Sequence, residues 1–228
     1  MSYPVILDLK GKTVLVVGGG PVAQRKVEGL LQAKAAVRLV APELTRDLER
    51  LVEEGTLDWR PRRFEPSDLN GCWLIIAATD DRSLNRELKV LAEEAGLWIN
   101  VVDQPENCSF ILPALLRRGE LLITVSTGGA SPLLSARLKR RLGLQFDRTW
   151  EPFLDLLGAV RREVLKRGLS SGENRKTFEA VLEADLLEPL REGDQEELAR
   201  RLKASTGLEL DRLGWTPATG NGRPRSED

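Results

Sequence analysis

The feature that most limits the fold is a run near the amino terminus in which a strand pattern, a glycine triplet and a helix pattern follow without a break. Thr13-Val14-Leu15-Val16-Val17 is apolar and β-branched, the composition of a strand covered on both faces. Gly18-Gly19-Gly20 follows at once, and Val22, Ala23, Val27, Leu30 and Leu31 then recur near helical spacing. Pro21 suits a first helical position, where its missing N–H costs nothing. A second strand pattern, Ala36-Val37-Arg38-Leu39-Val40, completes a βαβ unit of about thirty residues, the length of a parallel crossover.

The turn itself fits G-x-G-x-x-G/A, with Gly18, Gly20 and Ala23 at the three small positions. Those positions serve a tight turn, backbone approach to a pyrophosphate and close helix–sheet packing. A helix N-terminus adds free N–H groups and a positive dipole end for phosphates. Strand before and helix after are the context a dinucleotide site requires; a merely structural glycine turn is the alternative. After the second strand come Ala41-Pro42-Glu43, so the acid is two residues late. A ribose contact and a first-turn helix acid are both open for Glu43. No Lys or Arg follows immediately, Arg46 being nearest, which favours NAD over NADP.

The alternation continues. Leu44, Leu48, Leu51 and Val52 mark a helix closed by Gly55, and residues 57–60 a short polar strand. Residues 72–78 read as a buried strand, and Leu84, Leu88, Leu91 and Ala95 as a helix ending at Gly96. Residues 97–102 read as another strand. This predicts an open parallel sheet with helices on both faces. After Asp103 the pattern changes. Residues 110–116 and 121–126 are strand-like runs at hairpin spacing, and Ser131-Pro132 caps a helix through about residue 142. Residues 146–205 are helical in character with one break at 168–172, and residues 211–228 read as a disordered tail.

Composition narrows the chemistry. The chain has 228 residues, 41% hydrophobic, a net charge of −1, two cysteines and no histidine. Near-neutral charge argues against a nucleic-acid binder. No apolar run approaches the ~20 residues of a membrane helix, and no signal peptide is evident, so a cytoplasmic protein is expected. Zero His excludes Ser-His-Asp triads, Cys-His dyads and His-based zinc sites. Proton handling must fall to Asp, Glu, Lys, Tyr, Cys or a cofactor.

Strand ends supply the candidates. Thr79-Asp80-Asp81 closes one strand and Asn100-Val101-Val102-Asp103 another, and ligands of open α/β sheets bind outside those carboxyl ends. For Asp80 or Asp81 helix capping is the favoured reading. Asp103 is followed by Gln104-Pro105 and no helix pattern, so a site role and a structural one stand level. Ser126-Thr127-Gly128-Gly129-Ala130-Ser131-Pro132 is a second small-residue loop entering a helix. It could bind an anion on backbone N–H groups, but a flexible loop capped by Ser131 is the simpler reading. Residues 114–141 hold six basic residues and one acid, +5 against −6 for the remainder, a match for a polyanionic small molecule.

Taken together, these stretches resemble the precorrin-2 dehydrogenase / sirohydrochlorin ferrochelatase family, the NAD-binding part of sirohaem synthases. The resemblance rests on Leu15 to Lys26, Ala77-Ala78-Thr79-Asp80-Asp81, Asn100-Val101-Val102-Asp103, Phe110-Ile111-Leu112-Pro113-Ala114 and the 125–132 loop, in that order. It is specific to about residue 142, looser beyond, and absent after about 210. It implies a Rossmann-like NAD-binding domain (1–113), a small α+β dimerisation region (114–145) and a helical C-terminal domain (146–210). The active site is then expected between domains of an intertwined homodimer. It implies oxidation of precorrin-2 to sirohydrochlorin by NAD, with Fe2+ insertion as a second activity of some members. Asp103 takes the family's catalytic position. Gly18, Gly20, Pro21, Val22, Ala23, Ala41, Pro42, Glu43, Thr79 and Asp80 are expected at the cofactor. Asn100, Ser126, Thr127, Gly128, Gly129, Ser131 and Arg137 are expected at the substrate; no resident metal is expected. The alternatives are a non-catalytic Rossmann nucleotide-sensing module and an unrelated NAD-dependent dehydrogenase.

Overall fold

A computed structural model describes residues 2–216. The chain divides into two units, one ending at Leu112 and the other starting at Pro113. In the first, β1 (Thr13–Val17), β2 (Ala36–Val40), β3 (Leu57–Arg60), β4 (Leu74–Ala77) and β5 (Trp98–Val101) form a parallel sheet in the order β3-β2-β1-β4-β5. Because side chains alternate along a strand, each strand feeds two cores. Val14, Val16, Val37 and Leu39 pack under α1 (Pro21–Gln32) and α2 (Arg46–Glu53). Leu15, Val17, Ile75 and Ile99 pack under α3 (Arg82–Glu94). The order in which strands are added reverses between β1 and β4, while all stay parallel, which makes their carboxyl ends the topological switch point of the sheet.

The second unit opens with β6 (Ala114–Arg118) and β7 (Leu121–Val125), an antiparallel pair. The hairpin is shorter and tighter than its hydrophobic run suggests. Residues 110–113 stay outside the ladder, and Arg117 and Arg118 pair, leaving a two-residue loop in which Gly119 has φ +56°. Ser131 caps α4 (Pro132–Gln145), its hydroxyl accepting from the Leu134 N–H at 3.2 Å. The helix runs three residues past the expected end, since Gly143 is tolerated inside it.

The helical part is broken more often than one glycine-rich stretch implies. After α5 (Trp150–Lys166) and α6 (Ser171–Glu183), Asp185 at φ +46° and Gly193 at φ +73° set off α7 (Leu187–Glu192) and α8 (Gln195–Thr206). Phe153, Leu156, Val160 and Val164 on α5 meet Val181, Leu198 and Leu202 in one core. The stretch expected to be disordered from 211 begins in order. A 3-10 turn spans Leu210–Leu213, Leu213 is buried, and Trp215 packs on the same core. The rest of that stretch, 217–228, lies outside the described residues. Among the described residues, no helix is long and apolar enough to cross a membrane.

Candidate functional site

The glycine turn is held from two sides. A Cβ on Gly18, whose φ is +120°, would overlap the Ala78 carbonyl at the end of β4. A Cβ on Gly19 would overlap the Glu43 carbonyl of the chain leaving β2, where the Thr45 N–H also donates to Gly19 O at 3.0 Å. Both glycines are therefore required by neighbours distant in sequence. Gly20 differs: a Cβ there meets nothing within 4 Å. Its surroundings are open, as a position facing a pyrophosphate must be. Ala23 is fully buried where α1 crosses the sheet, so its small side chain sets the helix–sheet distance.

The start of α1 is equally informative. Gly20 is its N-cap, Pro21 stands at its first position, and no side chain caps it. Thr45, Asp81, Ser131, Ser170 and Asp194 cap their helices with a side chain, while α5 and α7, like α1, have no side-chain cap. The first-turn N–H groups of α1 are left for another acceptor. An open Gly20 next to that uncapped helix end fits a dinucleotide pyrophosphate.

A cleft of about 180 Å³ lies beside this turn, at the carboxyl ends of β4 and β5. It gathers four expected residues, Val22, Thr79, Asp80 and Asp103, and adds Ala78, Arg82, Val102 and Gln104, which were not among the expected site residues. The two neighbouring aspartates divide their roles. Asp81 caps α3, accepting from Ser83 and Leu84 N–H, while Asp80 is left exposed on the cleft. Thr79 steadies this corner: its hydroxyl accepts from Asp81 N–H and its carbonyl from Asn85 Nδ2.

Asp103 follows β5 in a turn at φ +59°, a left-handed conformation uncommon for a side-chain-bearing residue and easiest for Asn and Asp. It is exposed. Cys108 ties the turn together. Its Sγ accepts from the Val101 N–H at 3.1 Å and lies 3.3 Å from the Gln104 carbonyl. Burial pushes this thiol above its usual value. Asn100, expected at a substrate, is buried, and its Nδ2 donates to Phe110 O at 2.9 Å. Its amide thus fixes the segment after the Asp103 turn.

Lys26 is neither among the residues expected at the site nor among those lining the cleft, but it lies close by. Four positions after Val22, it shares the cleft-side face of α1. Burial holds its ammonium below the usual lysine value, with Arg25 adding to the effect, while Asp103 and Cys108 oppose it. The i, i+4 spacing from Val22 was the available signal.

At the end of β2, Ala41 is buried and its backbone is engaged: its N–H reaches Arg60 O at 3.3 Å and its carbonyl takes Trp59 Nε1 at 3.0 Å. Pro42 and Glu43 are exposed. Glu43 is not a helix acid: α2 starts at Arg46 behind the Thr45 cap, and its first-turn acids are Asp47 and Glu49. The remaining expected residues, Ser126, Thr127, Gly128, Gly129, Ser131 and Arg137, belong to the second unit. There Thr127 Oγ1 accepts from the Ser131 N–H at 3.0 Å and from Ser135 Oγ at 3.3 Å, and Arg137 is exposed on α4. Among the described residues, no three His, Cys, Asp or Glu side chains gather as a metal-ligand set.

The 3-2-1-4-5 parallel sheet with an uncapped glycine turn at its switch point defines a Rossmann-type dinucleotide-binding protein. Residues 5–114 match the family described as "Putative NAD(P)-binding", and residues 118–143 match "Sirohaem biosynthesis protein central". "Siroheme synthase 1" of Aeromonas salmonicida is 40% identical over 197 residues, covering 86% of this chain and 42% of that protein. "Siroheme synthase" of Azotobacter vinelandii is 41% identical over 210 residues, covering 90% of this chain and 44% of that protein. The chain spans less than half the length of these relatives. A solved structure, "SirC, precorrin-2 dehydrogenase", aligns with a TM-score of 0.73 at 29% identity, covering 89% of this chain and 100% of that one. The chain belongs to the family of NAD(P)-binding sirohaem-biosynthesis proteins that includes precorrin-2 dehydrogenases and the matching part of sirohaem synthases.

Proposed function

We propose that this chain oxidises precorrin-2 to sirohydrochlorin with NAD+. The carrying observation is that Asp103 opens onto the same cleft as Val22 at the uncapped end of α1. Bound NAD+ supplies the hydride acceptor. Gly20 and the first-turn N–H groups of α1 hold the pyrophosphate, with Pro21, Val22 and Ala23 shaping that turn. Pro42 and Glu43 border the ribose end, and Thr79 and Asp80 the cleft. Loss of a hydride and a proton leaves the proton to be taken up, and Asp103, which shares the cleft with Asp80, is the carboxylate proposed to accept it. The second unit offers cations to an acidic substrate: Arg137, Lys139, Arg140 and Arg141 lie on α4, beyond the loop of Ser126, Thr127, Gly128, Gly129 and Ser131. Where Fe2+ is a further substrate, Asp103 accepts the pyrrole protons displaced by the metal.

The proposed assembly is a homodimer built on the hairpin and α4. A two-stranded hairpin is marginal alone, and Leu115, Leu133, Leu134, Leu138 and Leu144 are all exposed here. The proposed compartment is the cytoplasm, in keeping with two free cysteines. Incubation with precorrin-2 and NAD+ should yield NADH and the sirohydrochlorin spectrum in step. Asp103→Ala should lower the rate by about 10²–10⁴-fold with NAD+ binding retained. NAD+ binding without turnover by the wild type would leave a nucleotide-sensing module instead. Sedimentation showing only monomer at micromolar concentration would overturn the dimer.

A further inference from the structure

Beside the end of β2 lies a group of ionic residues that the proposed reaction does not use. In the sheet register Val40 stands opposite Arg60, and the Ala41 N–H donates to the Arg60 carbonyl. The carboxyl end of β3 is therefore adjacent to the residues that border the ribose end of a Rossmann site. The stretch after β3 is rich in cations: Arg60, Arg62 and Arg63. An arginine in that corner can accommodate a 2′-phosphate, so these cations would suit NADP if their guanidinium groups were free.

The structure occupies those guanidinium groups. Asp68, fully buried in the 3-10 turn Pro66–Leu69, takes Arg62 bidentately, with Nη1 and Nη2 both at 2.8 Å, and also pairs with Arg60. The Glu65 N–H donates to the same carboxylate at 2.9 Å. Arg60 lies 3.8 Å from Asp58, and Arg62 lies 3.7 Å from Glu65. Arg38, the remaining guanidinium of the group, is bonded to Asp58 and to the carbonyls of Asp68 and Asn70. Three arginines thus meet three acids. Arg63 pairs with none of them and is exposed. Glu43, exposed at the end of β2, adds a negative charge on the same side.

We infer that Asp68 is a specificity-determining residue: by holding Arg60 and Arg62 it withholds them from a 2′-phosphate and makes the site selective for NAD+ over NADP+. Burial alone would raise the Asp68 carboxyl, but the hydrogen bonds from Arg62, the Glu65 N–H and Arg60 outweigh it and hold it at about 2, so the carboxylate stays charged at any working pH. Arg60 and Arg62 keep 29% and 35% of their side-chain surface exposed, so they can turn towards a ligand once released.

The inference rests on the nucleotide reading of the glycine turn. Calorimetry with NAD+ and NADP+, and with 5′-AMP and adenosine 2′,5′-bisphosphate as fragments that isolate the ribose corner, tests it on the whole chain. Wild type should favour NAD+ by at least about tenfold, and Asp68→Asn should shift the ratio towards NADP+ by about tenfold. The gain should shrink with added salt and disappear in Asp68→Asn/Arg60→Ala/Arg62→Ala. If Asp68→Asn alone does not fold, Asp68→Asn/Arg62→Gln, which removes both charges of the bidentate pair and leaves Arg60 released, should shift the ratio in the same direction. An unchanged ratio in a folded variant, or a wild type that binds both dinucleotides equally, overturns the role of Asp68. A wild type that binds neither dinucleotide overturns the glycine-turn reading itself.

Discussion

The loops at residues 18–23 and 126–132 look alike in sequence, each a small-residue stretch rich in glycine with a proline opening the following helix. In the structure they are opposites. In the first, Gly18 and Gly19 are forced by distant backbone carbonyls, and the helix start is left without a side-chain cap. In the second, Gly128 and Gly129 have φ of +62° and +88° but open space around them, and Ser131 caps the helix while Thr127 closes the loop. One loop is rigidly packed with its donors left over. The other is loosely packed with its donors used. Glycine content alone does not make a phosphate cradle; unpaired N–H groups on a fixed frame do.

The comparison can be broken at its strongest point first. Gly18→Ala and Gly19→Ala each drive a methyl into backbone and should cost about 3 kcal/mol or more, read as loss of the first unit's thermal or urea transition. If either variant is as stable as wild type, the turn is less tightly framed than the contacts state. Gly20→Asp has room for its side chain and should fold, yet its charge would stand where the pyrophosphate is proposed to lie. NAD+ affinity should drop about 100-fold or more in calorimetry, some 2.7 kcal/mol. The same variant should leave any metal insertion into sirohydrochlorin intact, because that step needs no nucleotide.

Acid tests the unit that carries the first loop, at a point outside the loop itself. Asp68 titrates at about 2 in the folded chain against 3.8 for an ordinary aspartate. A carboxyl depressed by folding contributes its stability above its unfolded value and loses it as pH falls towards the folded one. The first unit should therefore lose roughly 2 kcal/mol between about pH 4 and 2. Asp68→Asn should flatten that part of its stability profile. The 126–132 loop is joined by neutral hydroxyl and amide groups, so it contributes no such slope.

The smallest effects belong to the second loop. Ser131→Ala removes the cap of α4 and should cost about 1 kcal/mol. Gly128→Ala, strained in φ but unobstructed, should cost about 1 kcal/mol or slightly less, with no change in NAD+ affinity. A larger loss in NAD+ affinity there would erase the distinction between the loops.

Local chemistry was written plainly in the sequence. The β-branched run of β1, Pro21 and Ser131-Pro132 at helix starts, and Gly55 and Gly96 after helix ends depend on residues within a few positions of one another. Strand–helix alternation follows from the same local periodicities, and so does a parallel sheet with a glycine turn at its switch point. Asp103 stood out because no helix pattern follows it in the sequence; in the structure a short 3-10 turn, Pro105–Asn107, starts behind Gln104 instead. What tertiary structure decided lies at larger separations. Gly19 is needed because residue 43 passes over it, and Ala41 is engaged because β3 pairs alongside. Asp81, not Asp80, caps α3, a choice set by where the chain leaves β4. Asp68 reads as an ordinary turn acid until β3 brings Arg60 and Arg62 against it. Order past residue 210 follows from Leu213 and Trp215 finding the α5–α8 core. Periodicity records which face of an element is apolar, but not which distant element will cover it. Charge neutralisation and close backbone contact exist only once that pairing is made.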